Sequence, residues 1–249
     1  MKRIMLVIAY DGTRYCGWQM QPNGLTIEEI LNRVLTERLE EPVVVIGASR
    51  TDAGVHALGN VAVFDTNTQM PAEKLSFALN QRLPKDIIIQ QSKEVPLNFH
   101  PRRCKSIKTY QYQILNSRFP IPTQRLYSYF IYSPLQVEAM AQAAEYLVGE
   151  HDFKSYCSTR TKLENTIRKI YDIKVEKHED VVTITISGNG FLYNMVRIIA
   201  GTLIRVGLGA YPPVYVKEIL EKKDRLIAGP KAPAHGLSLQ GIEYPDLES

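Results

Sequence analysis

The sequence predicts an α+β fold built as two domains, and three observations carry that prediction. Strand-like and helix-like runs mix without the regular alternation that a parallel sheet requires, so antiparallel pairing is expected. Each half reads as strands, a helix, more strands and a helix. The chain has 249 residues, 45% of them hydrophobic and 22% charged, which suits a soluble globular protein of one large or two small domains. The division falls at 1–104 and 105–249, with no low-complexity linker and no strict repeat.

The elements follow in order. Residues 4–9 form an apolar run that reads as a buried strand. Thr26-Ile27-Glu28-Glu29 has the form of a capping box, in which Thr26 accepts from the third helical N–H. Ile27, Ile30, Leu31, Val34 and Leu35 then predict a helix over 27–40, stopped by Pro42. Residues 43–46 and 61–64 read as strands on either side of a polar loop. A second helix is expected over 71–83, ended by Pro84. The segment 85–104 reads as strand-poor except at Ile87, Ile88 and Ile89.

Beyond it, Tyr110, Tyr112 and Ile114 share one face of a strand, and 126–132 reads as its neighbour. Ser133-Pro134 is a helix start with proline at the first position, and that helix runs to Val148 before Gly149. Strands over 167–177 and 181–187 join through Glu179-Asp180. Apolar positions at 191, 192, 195, 196, 199, 203 and 206 are helical in spacing. Pro212-Pro213 opens a shorter helix to about Lys223, and a last strand covers 237–244.

The polar loop holds the chemistry. Arg50, Asp52 and His56 fall within seven residues, with Gly54 to bend the backbone. Reactive side chains are often presented on loops held by a rigid scaffold. The commoner situation for such residues is a polar hairpin loop with a local Asp–Arg pair, and local chemistry does not separate the two. Net charge is +4, which permits a polyanionic partner without demanding one. His100 to Lys108 carries four Lys or Arg and no acid, and runs into Tyr110 and Tyr112. A second cluster holds Lys154, Arg160, Lys162, Arg168 and Lys169. Cations beside aromatic rings are the footprint expected for RNA, where phosphates are tracked and splayed bases are stacked upon.

Other chemistries find no support. Gly188-Asn189-Gly190 lacks the third glycine of a dinucleotide turn, since Tyr193 stands there. There is no P-loop and no GxSxG, and the five histidines show no metal-ligand spacing. Cys16, Cys104 and Cys157 lie far apart, as reduced thiols of a cytoplasmic protein would. The run 4–9 is too short for a signal sequence or a membrane span, and 191–209 is broken by Asn194, Arg197 and Arg205.

The stretch Arg50-Thr51-Asp52-Ala53-Gly54-Val55-His56-Ala57 resembles the catalytic signature of tRNA pseudouridine synthases of the TruA family. Supporting motifs appear in the family's order: Tyr10-Asp11-Gly12, Phe99-His100-Pro101-Arg102, Lys108-Thr109-Tyr110-Gln111-Tyr112, Gly149-Glu150-His151-Asp152-Phe153, Gly190 to Arg197, and Gly236-Leu237-Ser238-Leu239. Together they cover nearly the whole chain.

The resemblance implies two RNP-like α+β domains sharing an extended antiparallel sheet with a central active-site cleft. It implies a homodimer, no cofactor and no metal. The implied substrate is uridine in the anticodon stem-loop of tRNA, at positions 38, 39 or 40. Asp52 would act on the ribose as the base departs, through an acylal or a glycal. Arg197 would hold its charge, because an opposite charge within a few ångströms lowers a carboxylate pKa by ~1–3 units. Tyr110 would stack on the target base and help remove the C5 proton. Arg50 and His56 would contact the RNA and help extrude the nucleotide. Arg102, Arg103, Lys108, Arg160, Lys162 and Arg168 would meet phosphates.

One departure stands out. The family has glycine before the signature arginine, and here that residue is Ser49. Alternatives are a divergent paralogue acting on another RNA, a non-catalytic RNA-binding scaffold, and a carboxylate-dependent hydrolase. The hydrolase would call for a second acid paired with Asp52, and none stands out nearby.

Overall fold

A computed structural model describes residues 1–158 and 165–247 and shows the α+β class. The chain forms two units, Met1–Ser106 with Leu239–Ser249, and Ile107–Ser238. The C-terminal segment therefore belongs with the first unit, whereas the sequence reading cuts the chain once. The reason is packing. Tyr244 stacks edge-on against Phe99 at 5.0 Å, and its hydroxyl donates to the Pro101 carbonyl at 2.9 Å.

The first unit is a sheet centred on β1 (Lys2–Tyr10). It pairs antiparallel with β3 (His56–Thr66) on one side and β4 (Ile87–Val95) on the other. The short β2 (Ile46–Gly47) extends β3, and β10 (Leu237–Glu243) lies beside β3. One face of the sheet packs Met5, Val61, Val63 and Val95 with Phe99 and Tyr244. The other carries Ile4, Leu6 and Ile8, none of them exposed. Helix α1 (Ile27–Leu39) packs on α2 (Leu75–Asn80), and α2 on β4. Thr26 caps α1 by accepting from the Glu29 N–H at 3.3 Å, and Ile27, Ile30, Leu31, Val34 and Leu35 are its buried stripe.

Three expectations fail in this unit. Of 43–46 only Ile46 pairs, because α1 takes the other donors: Asn32 accepts from the Val45 N–H and Thr36 from the Val43 N–H. The helix expected over 71–83 is a 3-10 turn, Ala72–Lys74, followed by the short α2. Strand β4 runs on to Val95 through polar residues. Its register slips where Val7↔Gln91 gives way to Ile8↔Ile89, and that irregularity breaks the alternation the sequence would otherwise show.

The second unit has the strand order β5 (Ile107–Leu115), β9 (Val181–Gly188), β8 (Ile167–His178), β7 (Gly149–Asp152), all antiparallel. The two-residue β6 (Tyr129–Phe130) departs from the expectation by pairing parallel to β5. Tyr110, Tyr112 and Ile114 are buried together on β5, as their spacing predicts. Helix α3 (Val137–Glu145) packs on β8 and on α4 (Met195–Gly207), and α5 (Tyr215–Lys222) packs on α3.

Helix α3 begins three residues after Pro134 and stops short of Gly149, which at φ 112° opens β7 instead. Asn116 explains the late start. Its amide donates to the Ile131 and Ser133 carbonyls and accepts from the Leu135 N–H, pinning that stretch outside a helix. Helix α4 also begins late. Asn194 at φ 62° is left-handed and turns the chain into it, so residues 191–193 lie before the helix.

Near the start of β1, Arg3 forks onto its cross-strand neighbour Asp65 with bonds of 2.7 and 2.8 Å. The guanidinium hydrogen bonds hold the Asp65 carboxyl below its ordinary value. A depressed carboxylate contributes stability that is present above its unfolded value, about 3.9, and lost as pH falls through the lower native one. Asp65→Asn should therefore melt below the wild type at neutral pH, with the gap narrowing as pH falls below the unfolded value and through the lower native one. Thermal melts across that range check this, and a gap that stays constant would remove the ion pair as its cause.

Candidate active site

The Asp52 loop leaves the sheet where β2 and β3 part. Ladder pairing runs Ile46↔Val63 and Gly47↔Ala62, and the Ala48 N–H donates to the Val61 carbonyl at 2.7 Å. Beyond this, residues 50–55 form the loop and the chain returns into β3 at His56. The Val55 N–H closes a turn onto the Asp52 carbonyl at 3.1 Å, with Gly54 left-handed at φ 77°. Asp52 is half-buried at the start of that turn and Arg50 is exposed beside it.

A second segment, residues 11–18, clamps the loop from outside the sheet. The Trp18 N–H donates to the Thr51 carbonyl at 3.0 Å, and the Gly54 N–H to the Tyr15 carbonyl at 3.3 Å. The approach is close enough to need glycine twice. A Cβ at Gly12 would stand 2.0 Å from the Val55 oxygen, and one at Gly17 would stand 2.5 Å from the Thr51 oxygen. Trp18 is buried with its indole against Gly47. His56 is buried as well, its Nδ1 lying 3.1 Å from the Gly12 N–H and 3.2 Å from the Asp11 carboxylate. It fixes the far end of the loop. The clamp is anchored in turn by Asp86, which accepts from the Tyr15 hydroxyl and pairs with Arg14. Burial, then that hydrogen bond, pushes the Tyr15 hydroxyl up to about 12.

In the second unit Tyr110 is buried on β5, its ring meeting Phe191 edge-on at 5.3 Å. Arg197 stands in the first turn of α4 and is 8% exposed. Its Nε donates to the Ala232 carbonyl at 2.8 Å and its Nη1 to Asn194 at 3.3 Å, so the guanidinium is aimed from two sides. Burial raises the pKa of neighbouring Tyr112, and the Arg197 charge opposes that rise. The Tyr112 hydroxyl donates to the Pro233 carbonyl.

The other basic residues fall in different settings. Arg102 and Arg103 are exposed on the turn after β4. The His100 imidazole between them and the protein is held below its ordinary value, by burial first and then by the Arg103 and Arg102 charges. Lys108 is half-buried on β5. Arg168 is half-buried on β8, where burial lowers its pKa and its Nη1 donates to the Ile167 carbonyl. Arg160 and Lys162 lie outside the described residues. Among the described residues no three His, Cys, Asp or Glu side chains cluster as a metal-ligand set, and no helix is long and apolar enough to cross a membrane.

Comparison with known proteins decides the family. A family profile described as tRNA pseudouridine synthase matches residues 6–102 and 143–245. A tRNA pseudouridine synthase A of Thermoanaerobacter sp. (strain X514) is 50% identical over 244 residues, covering 98% of this chain and all of that one. The chain belongs to the tRNA pseudouridine synthase A family. Relatives of the same name in Brevibacillus brevis and Exiguobacterium sp. are 46% and 44% identical, over 98% and 100% of this chain and the whole of each relative.

As a tRNA pseudouridine synthase it is an isomerase, and its substrate is tRNA. The profile match takes in the Asp52 loop, its clamp, Arg102 and Arg197; Lys108 and Tyr110 fall between the two matched segments. The sequence reading missed Gly17 and Trp18 as parts of this site. Gly17-Trp18 is a visible pairing, but nothing local says which backbone the glycine must approach.

Proposed function

We propose that the enzyme converts uridine to pseudouridine in the anticodon stem-loop of tRNA, at positions 38, 39 or 40, with Asp52 as its central catalytic group. The supporting observation is the Asp52 loop itself. It carries the family signature, and its backbone is bonded to the clamp on both sides of a half-exposed carboxylate.

The chemistry needs no electron acceptor, because the base leaves and rejoins the same ribose. The bond from N1 to C1′ breaks and a bond from C5 to C1′ forms. The C5 proton is lost and N1 ends protonated. Asp52 attacks C1′ as the base departs and is expelled when C5 bonds to C1′, or it removes the C2′ proton to give a glycal and returns that proton as C5 adds. Arg197 supplies the positive charge that the reaction calls for. Tyr110 stacks on the base and helps take the C5 proton. Arg50 and His56 help extrude the nucleotide, a step that costs a few kcal/mol. Arg102, Arg103, Lys108 and Arg168 meet phosphates, with Arg160 and Lys162 alongside. The enzyme works in the cytoplasm as a homodimer.

The test uses tRNA tritiated at uracil C5. The purified protein should release tritium, and mapping should place pseudouridine at positions 38 to 40. Pseudouridine elsewhere in the tRNA would move the target, and binding without release would leave only a scaffold. Free uracil would indicate hydrolysis.

A further inference from the structure

We propose that Asn60, Tyr10 and Thr51 form a positioning network that sets the place of Asp52, and so governs turnover rather than tRNA affinity. The proposal rests on Asp52 carrying the chemistry.

The geometry is unusual for a strand pair. Continuing the β2–β3 register past Gly47↔Ala62 puts Ser49 opposite Asn60. In a regular antiparallel ladder hydrogen-bonded and non-bonded pairs alternate, and the Ala48 N–H bond to the Val61 carbonyl makes Ser49 and Asn60 a non-bonded pair, whose backbones do not bond each other. Here the Asn60 side chain bonds both backbone groups of Ser49. Its Oδ1 accepts from the Ser49 N–H at 3.3 Å, and its Nδ2 donates to the Ser49 carbonyl at 3.0 Å. A side chain thus holds both backbone groups of the residue before Arg50.

A bulge lies next to Asn60 on β3. On β3 the register with β1 moves from Ile8↔Asn60 to Tyr10↔Ala57, leaving an extra residue around Leu58 and Gly59. Bulges of this kind re-aim side chains. Asn60 is fully buried and its hydrogen-bonding capacity is filled. Oδ1 also accepts from the Val61 N–H at 2.9 Å, and Nδ2 also donates to the Tyr10 hydroxyl at 3.2 Å. The Tyr10 hydroxyl also shares a hydrogen bond with Thr51 Oγ1, 2.7 Å away. Thr51 immediately precedes Asp52, and its carbonyl is taken by Trp18. The network therefore fixes the chain at Ser49 and Thr51, on both sides of Arg50 and directly before the carboxylate.

Placement matters because a misplacement of about 1 Å at a reacting group costs on the order of 10²-fold in rate. The test is steady-state tritium release by Tyr10→Phe, Thr51→Val, Thr51→Ser and Asp52→Asn. Tyr10→Phe and Thr51→Val should each lose about 10- to 100-fold in kcat, with KM for tRNA within about twofold. Thr51→Ser, which keeps the hydroxyl, should recover most of the rate. Wild-type kcat in both Tyr10→Phe and Thr51→Val, beside an inactive Asp52→Asn, would overturn the network alone. A loss that falls on KM would also overturn it, by making these residues part of tRNA binding. An active Asp52→Asn would instead remove the catalytic reading on which the network depends. Asn60→Asp supplies a further arm, since it replaces the amide donor with an oxygen facing the Ser49 carbonyl. Its kcat should fall with that of Tyr10→Phe.

Discussion

Asp52→Asn should abolish turnover and leave tRNA binding intact. The substitution keeps the shape of the side chain. Two backbone bonds hold the loop at this point, from Val55 to the Asp52 carbonyl and from Trp18 to the Thr51 carbonyl, and an amide side chain leaves both in place. What it removes is the negative charge and the nucleophilic oxygen. Losing one group that stabilises developing charge in a transition state costs on the order of 10²–10³ in kcat. Asp52 is assigned either bond formation to C1′ or removal of the C2′ proton, so the loss should reach at least the top of that range. Single-turnover tritium release with enzyme in excess reads the chemical step, and a filter-binding titration with tRNA reads affinity. A rate within about tenfold of wild type would be too small for a central catalytic group. Weakened binding with an unchanged rate would make Asp52 an RNA contact.

The elements that the sequence states clearly are those whose signals are local. Thr26 and Glu29 announce the start of α1, and the observed cap is the bond between them. Tyr110, Tyr112 and Ile114 show the inner face of β5 by alternation alone. Glu179-Asp180 marks the turn between β8 and β9, and Glu179 takes the left-handed conformation at φ 52°. The errors occur where a distant side chain replaces a backbone partner. Asn116 holds residues 131–135 away from the helix that Ser133-Pro134 suggests, and Asn32 and Thr36 satisfy donors that would otherwise seek a strand. A buried amide that takes over backbone bonds looks in the sequence like any other polar residue.

The same reason limits what could be read of the site. The signature from Arg50 to Ala57 is visible because it is contiguous. Asn60, three residues beyond it, works in the same manner as Asn116 and carries no local mark. Ser49 shows the opposite error. It departs from the family pattern at a position where glycine suggests a special backbone, yet it is not among the residues with positive φ. Its backbone is held by Asn60 in a conformation open to any residue, so the serine costs no strain. The glycines that the loop needs are at positions 12 and 17, in a segment far from the signature in sequence.

Gly12→Ala should therefore be the most damaging small substitution in the first unit. The new methyl would stand 2.0 Å from the Val55 carbonyl oxygen, 2.6 Å from its carbon and 3.1 Å from its nitrogen. These are backbone atoms, so no rotamer change can make room. If residues 11–14 lift away, the Gly12 N–H leaves His56 and the Asp11 N–H leaves the Asp86 carbonyl, 3.0 Å away in the native fold. If the Val55 peptide yields instead, it pulls on Asp52, to which its N–H is bonded. Overpacking of this kind costs about 1–3 kcal/mol and occasionally more, and a rigid backbone contact on both sides places Gly12→Ala at the upper end. For a chain of this size about 3 kcal/mol lowers Tm by roughly 6–12 °C. Thermal melts measure the first consequence and tritium release the second. Ser49→Gly is the matched control, since it alters the same loop without a clash and should cost no more than about 1 kcal/mol. Equal melting temperatures for the two variants would mean that the loop is not clamped at Gly12. A lowered Tm with kcat intact would mean that the clamp holds the fold together without placing Asp52.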